Sequence, residues 1–324
     1  MSRIVFRVLK PGPHTLIQDG GRRGVLHLGL TSAGPMDRLS FDWANRLCGN
    51  PAGSAALEIT FGGLELEARG PALVVLTGPD ASVTLNGEDA PTWQGLRLAR
   101  GDRLHIGHVR HGCRLYLALA GGFAAQRAFG SVATVPREVL GGIEGRALAP
   151  GDRLARALPE PADGRRFALP PPLRPLCASA PGGEVELRVI PCLQARQLPR
   201  AAKRLFFGQS YRVSPHCDRM GYRLEGEPLA VPAMAILSEG ITPGAIQLPA
   251  DGQPIVLMRD HQTLGGYPRI GVVVAADLDR LAQLTPGGRV RFTPVTLHGA
   301  RRILRQARRH FEASCPVALD QLPL

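Results

Sequence analysis

The chain has 324 residues, with 39 glycines, 29 prolines and a formal net charge of +12. Its length predicts one large or two medium domains, and frequent turns between short apolar runs favour a β-rich over a helical architecture. No apolar run reaches the length of a membrane span, and the first residues lack a signal-peptide core, so we expect a cytoplasmic protein with no membrane contact.

The basic residues are almost all arginines, since Lys10 and Lys203 are the two lysines of the chain. The arginines are scattered and are not interleaved with aromatic residues, so we expect no nucleic-acid partner. The sequence contains no G-x-x-x-x-G-K-[ST] phosphate loop, and neither lysine lies in the Met-Lys-Met setting of a biotin attachment site. Any ATP or biotin is therefore expected to reach the protein through a partner chain or a carrier.

The six cysteines are spread singly along the sequence. Zinc sites and redox motifs commonly use cysteines spaced as C-x-x-C, and no such pair occurs here. We therefore expect reduced thiols and no metal site.

The first half of the chain reads as short strands separated by glycine turns, with one helix. Residues 4–18 predict two strands, and a glycine-rich loop with Asp19 follows, which either cradles an anion or forms a tight structural turn. Pro35 suits the first turn of a helix, and apolar residues then recur at helical spacing as far as Leu47. Glu58, in a later strand, is either a site residue or the buried partner of an arginine.

A ten-residue pattern, G-x-x-L-x-x-G-D-R-L, occurs at residues 95–104 and again at 145–154. Two copies of so short a unit do not make a solenoid. The pattern predicts a recurring hairpin in which Gly-Asp forms the turn.

The middle and the end of the chain indicate two lobes. Residues 158–183 are proline-rich and lack periodicity, which predicts a linker between a lobe of residues 1–157 and a lobe of residues 184–324. A short helix is predicted over 198–207. An amphipathic helix is predicted over 297–311, either docked on its own lobe or presented to a partner or membrane.

Polar residues collect at the strand ends of the second lobe, mainly in residues 236–278. Turn clusters precede apolar runs at 245–248 and 254–258, and residues 270–276 read as a buried strand. Strand ends and their loops commonly carry binding groups, and glycines allow a ligand to approach the backbone closely. This region is therefore the predicted functional site.

The same stretch also carries a resemblance to a known family. The pattern SEG…GAIQ-P-DGQPI-L--D-QT-GGYP-I--V--AD, preceded by V-S-x-x-C-D-R-M-G at residues 213–221, resembles the CT_A_B family. That family includes the C subunit of bacterial 5-oxoprolinase, allophanate hydrolase subunit 2, the KipA antagonist protein and the carboxyltransferase part of urea carboxylase. Cys217 stands where relatives have serine, so it is either a passive packing change or a nucleophile.

The resemblance implies a mainly β fold, with two cyclophilin-like β-barrel lobes and a few short helices. It also implies a cleft between the lobes, and the residue types of the polar groups then suggest their roles. The candidate catalytic residues are Asp218, Arg219 and Asp260, although Asp218 and Arg219 could instead pair to pin a turn. The candidate substrate-binding residues are Gln18, Asp19, Ser214, Gln247, Gln253, Gln262, Thr263, Gly265, Gly266 and Tyr267. We expect the loops that carry them to converge on one pocket, because buried polar groups must find partners.

Three functions are compatible with the resemblance. The first is the C subunit of an ATP-dependent 5-oxoprolinase, which opens 5-oxo-L-proline to L-glutamate with a KipI-like B subunit and a LamB/YcsF-type A subunit; ATP then acts through the complex. The second is a biotin-dependent carboxyltransferase component acting on urea or another amide, with biotin supplied in trans. The third is a KipA-like regulatory binding protein.

Overall fold

The computed structural model describes residues 4–160, 166–175, 183–231 and 236–319. The chain divides into two compact units. Unit 1 comprises Met1–Arg23, Ala33–Cys177 and Ser314–Leu324, and unit 2 comprises Gly24–Ser32 and Ala178–Ala313.

This division differs from the predicted domain boundaries at both ends of the chain. The early segment Gly24–Ser32 belongs to unit 2, and the last segment, Ser314–Leu324, belongs to unit 1. The last segment joins unit 1 because its strand, Val317–Ala318, pairs with Phe167–Ala168. Of the predicted linker, residues 161–165 and 176–182 lie outside the described part of the chain.

The described residues of unit 1 form two large sheets, a pair of short strands and one α-helix, α1 (Arg38–Leu47). Its strands are β1 (Ile4–Pro11), β2 (His14–Gln18), β3 (Ala56–Thr60), β4 (Leu64–Ala68), β5 (Ala72–Thr77), β6 (Ala81–Leu85), β7 (Glu88–Asp89), β8 (Gly95–Leu98), β9 (Arg103–Val109), β10 (Arg114–Leu119), β11 (Phe123–Ala124), β12 (Arg153–Arg156), β13 (Phe167–Ala168) and, from the end of the chain, β23 (Val317–Ala318). One sheet has the order β11-β12-β1-β4-β9-β6-β7 and the other β2-β3-β10-β5-β8, while β13 and β23 form a separate pair.

The two larger sheets of unit 1 contribute to one hydrophobic core. Strands of the seven-stranded sheet alternate in burial, as in β4, because one face meets the core and the other meets solvent. In contrast, every residue of β5 and β10 is buried. Helix α1 packs against these two strands on their other face, with the Phe41 and Tyr116 rings edge to face at 6.0 Å. The second face of β5 and β10 is therefore buried as well.

Helix α1 confirms the helix predicted after Pro35. Its N-cap is Asp37, whose carboxylate accepts hydrogen bonds from the Ser40 backbone N–H at 3.0 Å and from the Ser40 hydroxyl at 2.7 Å. An aspartate at this position satisfies one of the free amides of the first turn. The helix ends at Leu47, and Gly49 follows with φ of 71°, as expected for a helix terminator.

The two copies of the G-x-x-L-x-x-G-D-R-L pattern form the same turn. In each, the aspartate Oδ2 accepts a hydrogen bond of 2.7 Å from a backbone N–H three residues earlier, in Asp102 and in Asp152. The prediction of a hairpin at the first copy is wrong. Strands β8 and β9, on either side of Asp102, belong to different sheets, so the turn carries the chain from one sheet to the other.

Unit 2 contains a closed barrel with the strand order β14-β21-β18-β19-β16-β15-β22. Its strands are β14 (Glu184–Pro191), β15 (Ser210–Cys217), β16 (Gly221–Glu225), β17 (Glu239–Gly240), β18 (Ala245–Gln247), β19 (Ile255–Leu257), β20 (Leu264–Gly265), β21 (Arg269–Val273) and β22 (Arg289–Pro294), of which β17 and β20 form a separate pair. All neighbouring barrel strands are antiparallel except β14 and β22, which are parallel. The mainly β fold with a few short helices is thus confirmed.

In the described part of unit 2, three α-helices accompany the barrel: α2 (Arg200–Gly208), α3 (Ala275–Ala282) and α4 (Leu297–Ala313). Helices α2 and α4 confirm the two helices predicted for this lobe. Helix α3 was missed, since residues 270–276 read as one apolar strand. The strand ends at Val273, and Asp277, Leu278 and Leu281 are then buried on one helical face.

Helix α2 closes the barrel core with aromatic rings. Phe206 stacks on Phe292 with ring centroids 4.5 Å apart, and Tyr211 packs edge-on against Phe292. By contrast, α4 buries Ala300 alone among its residues. The apolar stripe predicted for α4 is thus incompletely covered, with Leu304 exposed. Among the described residues, no helix combines the length and apolar character needed to cross a membrane.

Candidate functional site

A buried ion pair between Arg219 and Asp260 lies at the centre of the predicted site. The guanidinium donates from Nε to Oδ2 at 2.8 Å and from Nη2 to Oδ1 at 2.9 Å, and the two side chains are 8% and 6% exposed. The Asp260 backbone N–H also donates to the Arg219 carbonyl at 2.8 Å. This bidentate pair fastens the turn between β15 and β16 to the segment that follows β19.

Asp218 does not use its carboxylate in that pair. Its Oδ1 accepts from the backbone N–H groups of Met220 at 2.7 Å and Gly221 at 3.1 Å, an arrangement typical of aspartate in a turn. The side chain is exposed. Both side chains thus stabilise the turn, but Asp218 binds backbone amides of its own turn and Arg219 binds Asp260. A catalytic role for either residue stays a prediction.

A surface concavity of about 400 Å³ opens beside this turn, entirely within unit 2. This volume lies in the range of small-molecule sites. Four predicted site residues line the concavity, namely Asp218, Gln247, Gln262 and Tyr267, whereas Arg219 and Asp260 are not among its lining residues. Its other lining residues are Pro215, His216, Cys217, Met220, Gly221, Arg223, Ile255 and Leu257.

The structure thus brings together the two predicted loops of unit 2, around Asp218 and around Gln262. The predicted participation of the Gln18–Asp19 loop in the same pocket stays a prediction, as do the chemical roles assigned to individual residues.

Gln247 occupies the buried side of this concavity. It ends strand β18, and the residue is 1% exposed. Its Nε2 is buried without a hydrogen-bond partner in the described part of the chain. A methyl group added to Gly265 would lie 2.4 Å from this Nε2, so a glycine at 265 leaves the space that the carboxamide occupies.

Three other predicted binding residues of unit 2 are engaged in the fold. Gln253 accepts from the Gly226 N–H at 2.9 Å and donates to the Gly226 carbonyl at 3.0 Å. The Ser214 hydroxyl accepts from the His216 N–H at 3.3 Å, and the Thr263 carbonyl accepts from the Ile241 N–H at 3.1 Å. Gly266, next to Gly265, has ordinary space around it, with the nearest contact of an added methyl at 3.4 Å.

Gln18 and Asp19, the predicted binding residues of unit 1, bind the loop at residues 128–134. Gln18 donates to the Thr134 carbonyl at 2.9 Å and accepts from the Gly34 N–H at 3.2 Å. Asp19 accepts from the Ser131 hydroxyl at 2.5 Å and from the Val132 N–H at 2.8 Å. These contacts support the tight structural turn over the anion cradle as the interpretation of this loop.

Glu58 belongs to a buried network in unit 1. The Tyr116 hydroxyl donates to Glu58 Oε2 at 2.7 Å and accepts from the Asp37 N–H at 2.8 Å, and the Met36 N–H also donates to Oε2 at 2.8 Å. Burial first, and the charge of Glu58 next, raise the pKa of Tyr116 well above its ordinary value. Tyr116 thus stays a neutral donor, and the network anchors the start of α1 on the sheet.

Sequence reasoning missed Arg223 as a lining residue of the concavity. The signal was available, because Arg223 lies two residues after Gly221 in β16 and side chains alternate along a strand. His216 also lines the concavity. The described residues contain no group of three or more His, Cys, Asp or Glu side chains placed to hold a metal ion.

The fold and the site define a mainly β protein with a closed barrel and a small concavity lined by both polar and apolar residues. The chain belongs to the family described as "Carboxyltransferase domain, subdomain A and B", whose pattern matches residues 28–294.

Named relatives and a solved structure extend this result over nearly the whole chain. The chain is 36% identical over 315 residues to the C subunit of 5-oxoprolinase from Escherichia coli, covering 95% of this chain and 97% of that protein. It is 32% identical to the C subunit of 5-oxoprolinase from Haemophilus influenzae, covering 90% and 91%. The crystal structure of Kluyveromyces lactis urea carboxylase matches with a TM-score of 0.88 and 30% identity, over 100% of this chain and 30% of that one.

Proposed function

We propose that this chain is the C subunit of an ATP-dependent 5-oxoprolinase, which opens the lactam of 5-oxo-L-proline to L-glutamate together with partner subunits. The observation that carries the proposal is the identity of 36% with the E. coli C subunit along 97% of that protein's length. The match covers 95% of this sequence and 97% of the E. coli subunit, so it is not confined to a short shared segment. The partners in this proposal are a KipI-like B subunit and a LamB/YcsF-type A subunit, and the location is the cytoplasm.

The reaction breaks the ring C–N bond, adds the oxygen of water to the carbonyl carbon and leaves the former ring nitrogen protonated. An amide resists attack by water, so the carbonyl must be activated, and ATP bound by the complex supplies that activation. Within this chain, Asp218 is the candidate base, since its carboxylate is exposed at the concavity. Arg219 and Asp260 act as positioning residues that hold the Asp218 turn.

Carboxyl transfer to urea or another amide is a second candidate. The match with K. lactis urea carboxylase, at a TM-score of 0.88, favours it. Biotin would then be supplied in trans, because the sequence lacks a biotinyl lysine setting. One concavity suits both reactions, since carboxybiotin contains a cyclic urea and 5-oxoproline a cyclic amide.

The test is reconstitution of the chain with its partner subunits. With ATP and 5-oxo-L-proline, we expect glutamate release that requires all chains. With ATP, bicarbonate, a biotin carrier and urea, we expect no carboxylated product. The reverse result would establish carboxyl transfer, and stable assembly without either product would favour a KipA-like regulatory protein.

A matched pair of variants links the activity to the concavity. We expect Asp218→Asn to lower kcat by about a hundredfold or more, the scale of general acid–base catalysis. Asp251→Asn is the control, because Asp251 also caps its own turn, accepting from the Gln253 N–H at 3.0 Å, but does not line the concavity. Equal activities of the two variants would remove Asp218 from the chemistry.

A further inference from the structure

The side chain of Gln247 carries a buried polar atom, Nε2, for which the described residues of unit 2 supply no hydrogen-bond partner. Gln247 lines the concavity and is 1% exposed. Its Nε2 has no partner among the described residues. A buried donor without an acceptor costs free energy that a bound ligand can recover. The side chain is therefore placed for a ligand rather than for the fold.

We propose that the concavity around Gln247 binds the cis-amide edge of a small cyclic amide, with the Gln247 carboxamide as the group that recognises it. This inference rests on the proposed function and deepens it, because 5-oxoproline is such a lactam. It assigns recognition to one named side chain and predicts which ligands the site rejects.

The geometry of a lactam explains the choice of glutamine. A small ring holds the amide N–H and C=O on the same side, whereas open-chain amides strongly favour the trans arrangement. A primary carboxamide carries both a donor and an acceptor, so it can form two parallel hydrogen bonds with a cis amide. The terminal torsion of glutamine is soft, which lets the Gln247 amide turn toward the ligand. The opened product has no ring and loses this match.

Arg223 completes recognition of a ligand that also carries a carboxylate. Its side chain lines the concavity and is exposed. Among the described residues, no carboxylate lies within ion-pair distance of its guanidinium. A planar guanidinium suits bidentate binding of a carboxylate. Gln247 is therefore assigned to the lactam edge and Arg223 to the carboxylate of 5-oxoproline.

Gly265 keeps the recognition group in place. A methyl at this position would lie 2.4 Å from Gln247 Nε2, so Gly265→Ala must displace the carboxamide. Gly240, opposite Leu264 in the paired strand β17, has nothing within 4 Å of an added methyl. Gly240→Ala is thus a matched control on the same small sheet.

The first experiment uses four ligands on the full chain and on the assembled complex, measured by isothermal titration calorimetry. 5-Oxo-L-proline has the lactam and the carboxylate, 2-pyrrolidinone has the lactam alone, 1-methyl-2-pyrrolidinone lacks the N–H, and L-proline lacks the carbonyl. We expect 2-pyrrolidinone to bind about tenfold or more tightly than its N-methyl derivative, the effect of one or two hydrogen bonds. Equal binding of these two ligands, or no lactam binding in either preparation, would overturn the proposal.

The second experiment uses variants. Gln247→Met keeps the length of the side chain and removes both hydrogen-bonding groups, so lactam binding should fall about tenfold or more, while the melting temperature is unchanged or higher. Gly265→Ala should weaken both lactams, and Gly240→Ala neither. Arg223→Gln should weaken 5-oxoproline but not 2-pyrrolidinone. Gln306→Met, in the exposed part of α4, is the control for loss of a glutamine.

Two results separate this inference from the proposed function. If lactams bind as described but the complex releases no glutamate, the assignment as a 5-oxoprolinase subunit is wrong and the lactam site is supported. If the complex releases glutamate and Gln247→Met leaves 5-oxoproline binding and KM unchanged, the site assignment is wrong and the enzyme assignment stands.

Discussion

Removing the buried ion pair of Arg219 and Asp260 should cost unit 2 a measurable part of its stability. The two side chains are joined by hydrogen bonds of 2.8 and 2.9 Å and are less than a tenth exposed. Arg219→Lys keeps the charge but loses the planar fork. Arg219→Met removes the charge and leaves the Asp260 carboxylate without this partner.

The magnitudes follow from burial. Loss of one charged hydrogen bond in Arg219→Lys should cost about 1.5–3 kcal/mol. An uncompensated buried charge in Arg219→Met should cost about 3–5 kcal/mol. The double variant Arg219→Met with Asp260→Leu should be more stable than Arg219→Met alone, since replacing both partners by apolar groups of similar volume is often neutral.

The assay must report on unit 2. Both tryptophans of the chain, Trp43 and Trp93, belong to unit 1, so tryptophan fluorescence serves as the internal control. Hydrogen exchange of peptides from β15, β16 and β19 during denaturant titration gives the free energy of opening in unit 2. The reasoning fails if Arg219→Met loses less than about 1 kcal/mol there, or if the double-variant cycle shows no coupling.

Three further predictions concern single groups. Tyr116→Phe removes a hydroxyl that binds Glu58 and the Asp37 amide, so unit 1 should lose about 1–3 kcal/mol in tryptophan-monitored denaturation; an unchanged midpoint would contradict this. Hydrogen bonds from a side-chain amide and a backbone N–H lower the pKa of Asp102. The contribution of Asp102 to stability should therefore be complete above the ordinary carboxyl pKa range and be lost as the pH falls through the folded-state pKa. An ordinary aspartate pKa in an NMR titration would refute this. Cys217→Ser should keep the activity of the assembled complex, whereas a loss of kcat beyond about a hundredfold would show that the thiol takes part in chemistry.

Local signals were sufficient for most elements of the fold. Strand β1 and helices α1, α2 and α4 follow from alternation, proline and apolar spacing, which depend on near neighbours. The sequence did not predict the boundary between β21 and α3, because an apolar run before Asp277 is compatible with a buried strand and with a buried helix. The sequence around Asp102 also did not show that β8 and β9 belong to different sheets, because the sheet that a strand joins depends on strands distant in the sequence.

The sequence predicted which loops form the site but not the hydrogen-bond partners of the individual side chains. Asp218, Gln247, Gln262 and Tyr267 share one concavity, as the clustering of polar strand ends indicated. Gln253 resembles Gln247 in the sequence pattern, yet it binds the Gly226 backbone at both ends. Residue type alone could not separate Gln253 from Gln247, whose Nε2 has no partner among the described residues, because the difference depends on contacts with residues that are distant in the sequence.

The pairing of β13 with β23 has a consequence for how the chain comes to be folded. These strands join Phe167 to Ala318 and Ala168 to Val317, so the whole barrel of unit 2 is synthesised between them. A ribosome releases the first strand of the pair long before the second, so this pair cannot form until the end of the chain is synthesised. Folding of the barrel first would shorten the effective loop that this pairing closes, making the order of events during translation matter to the final pairing.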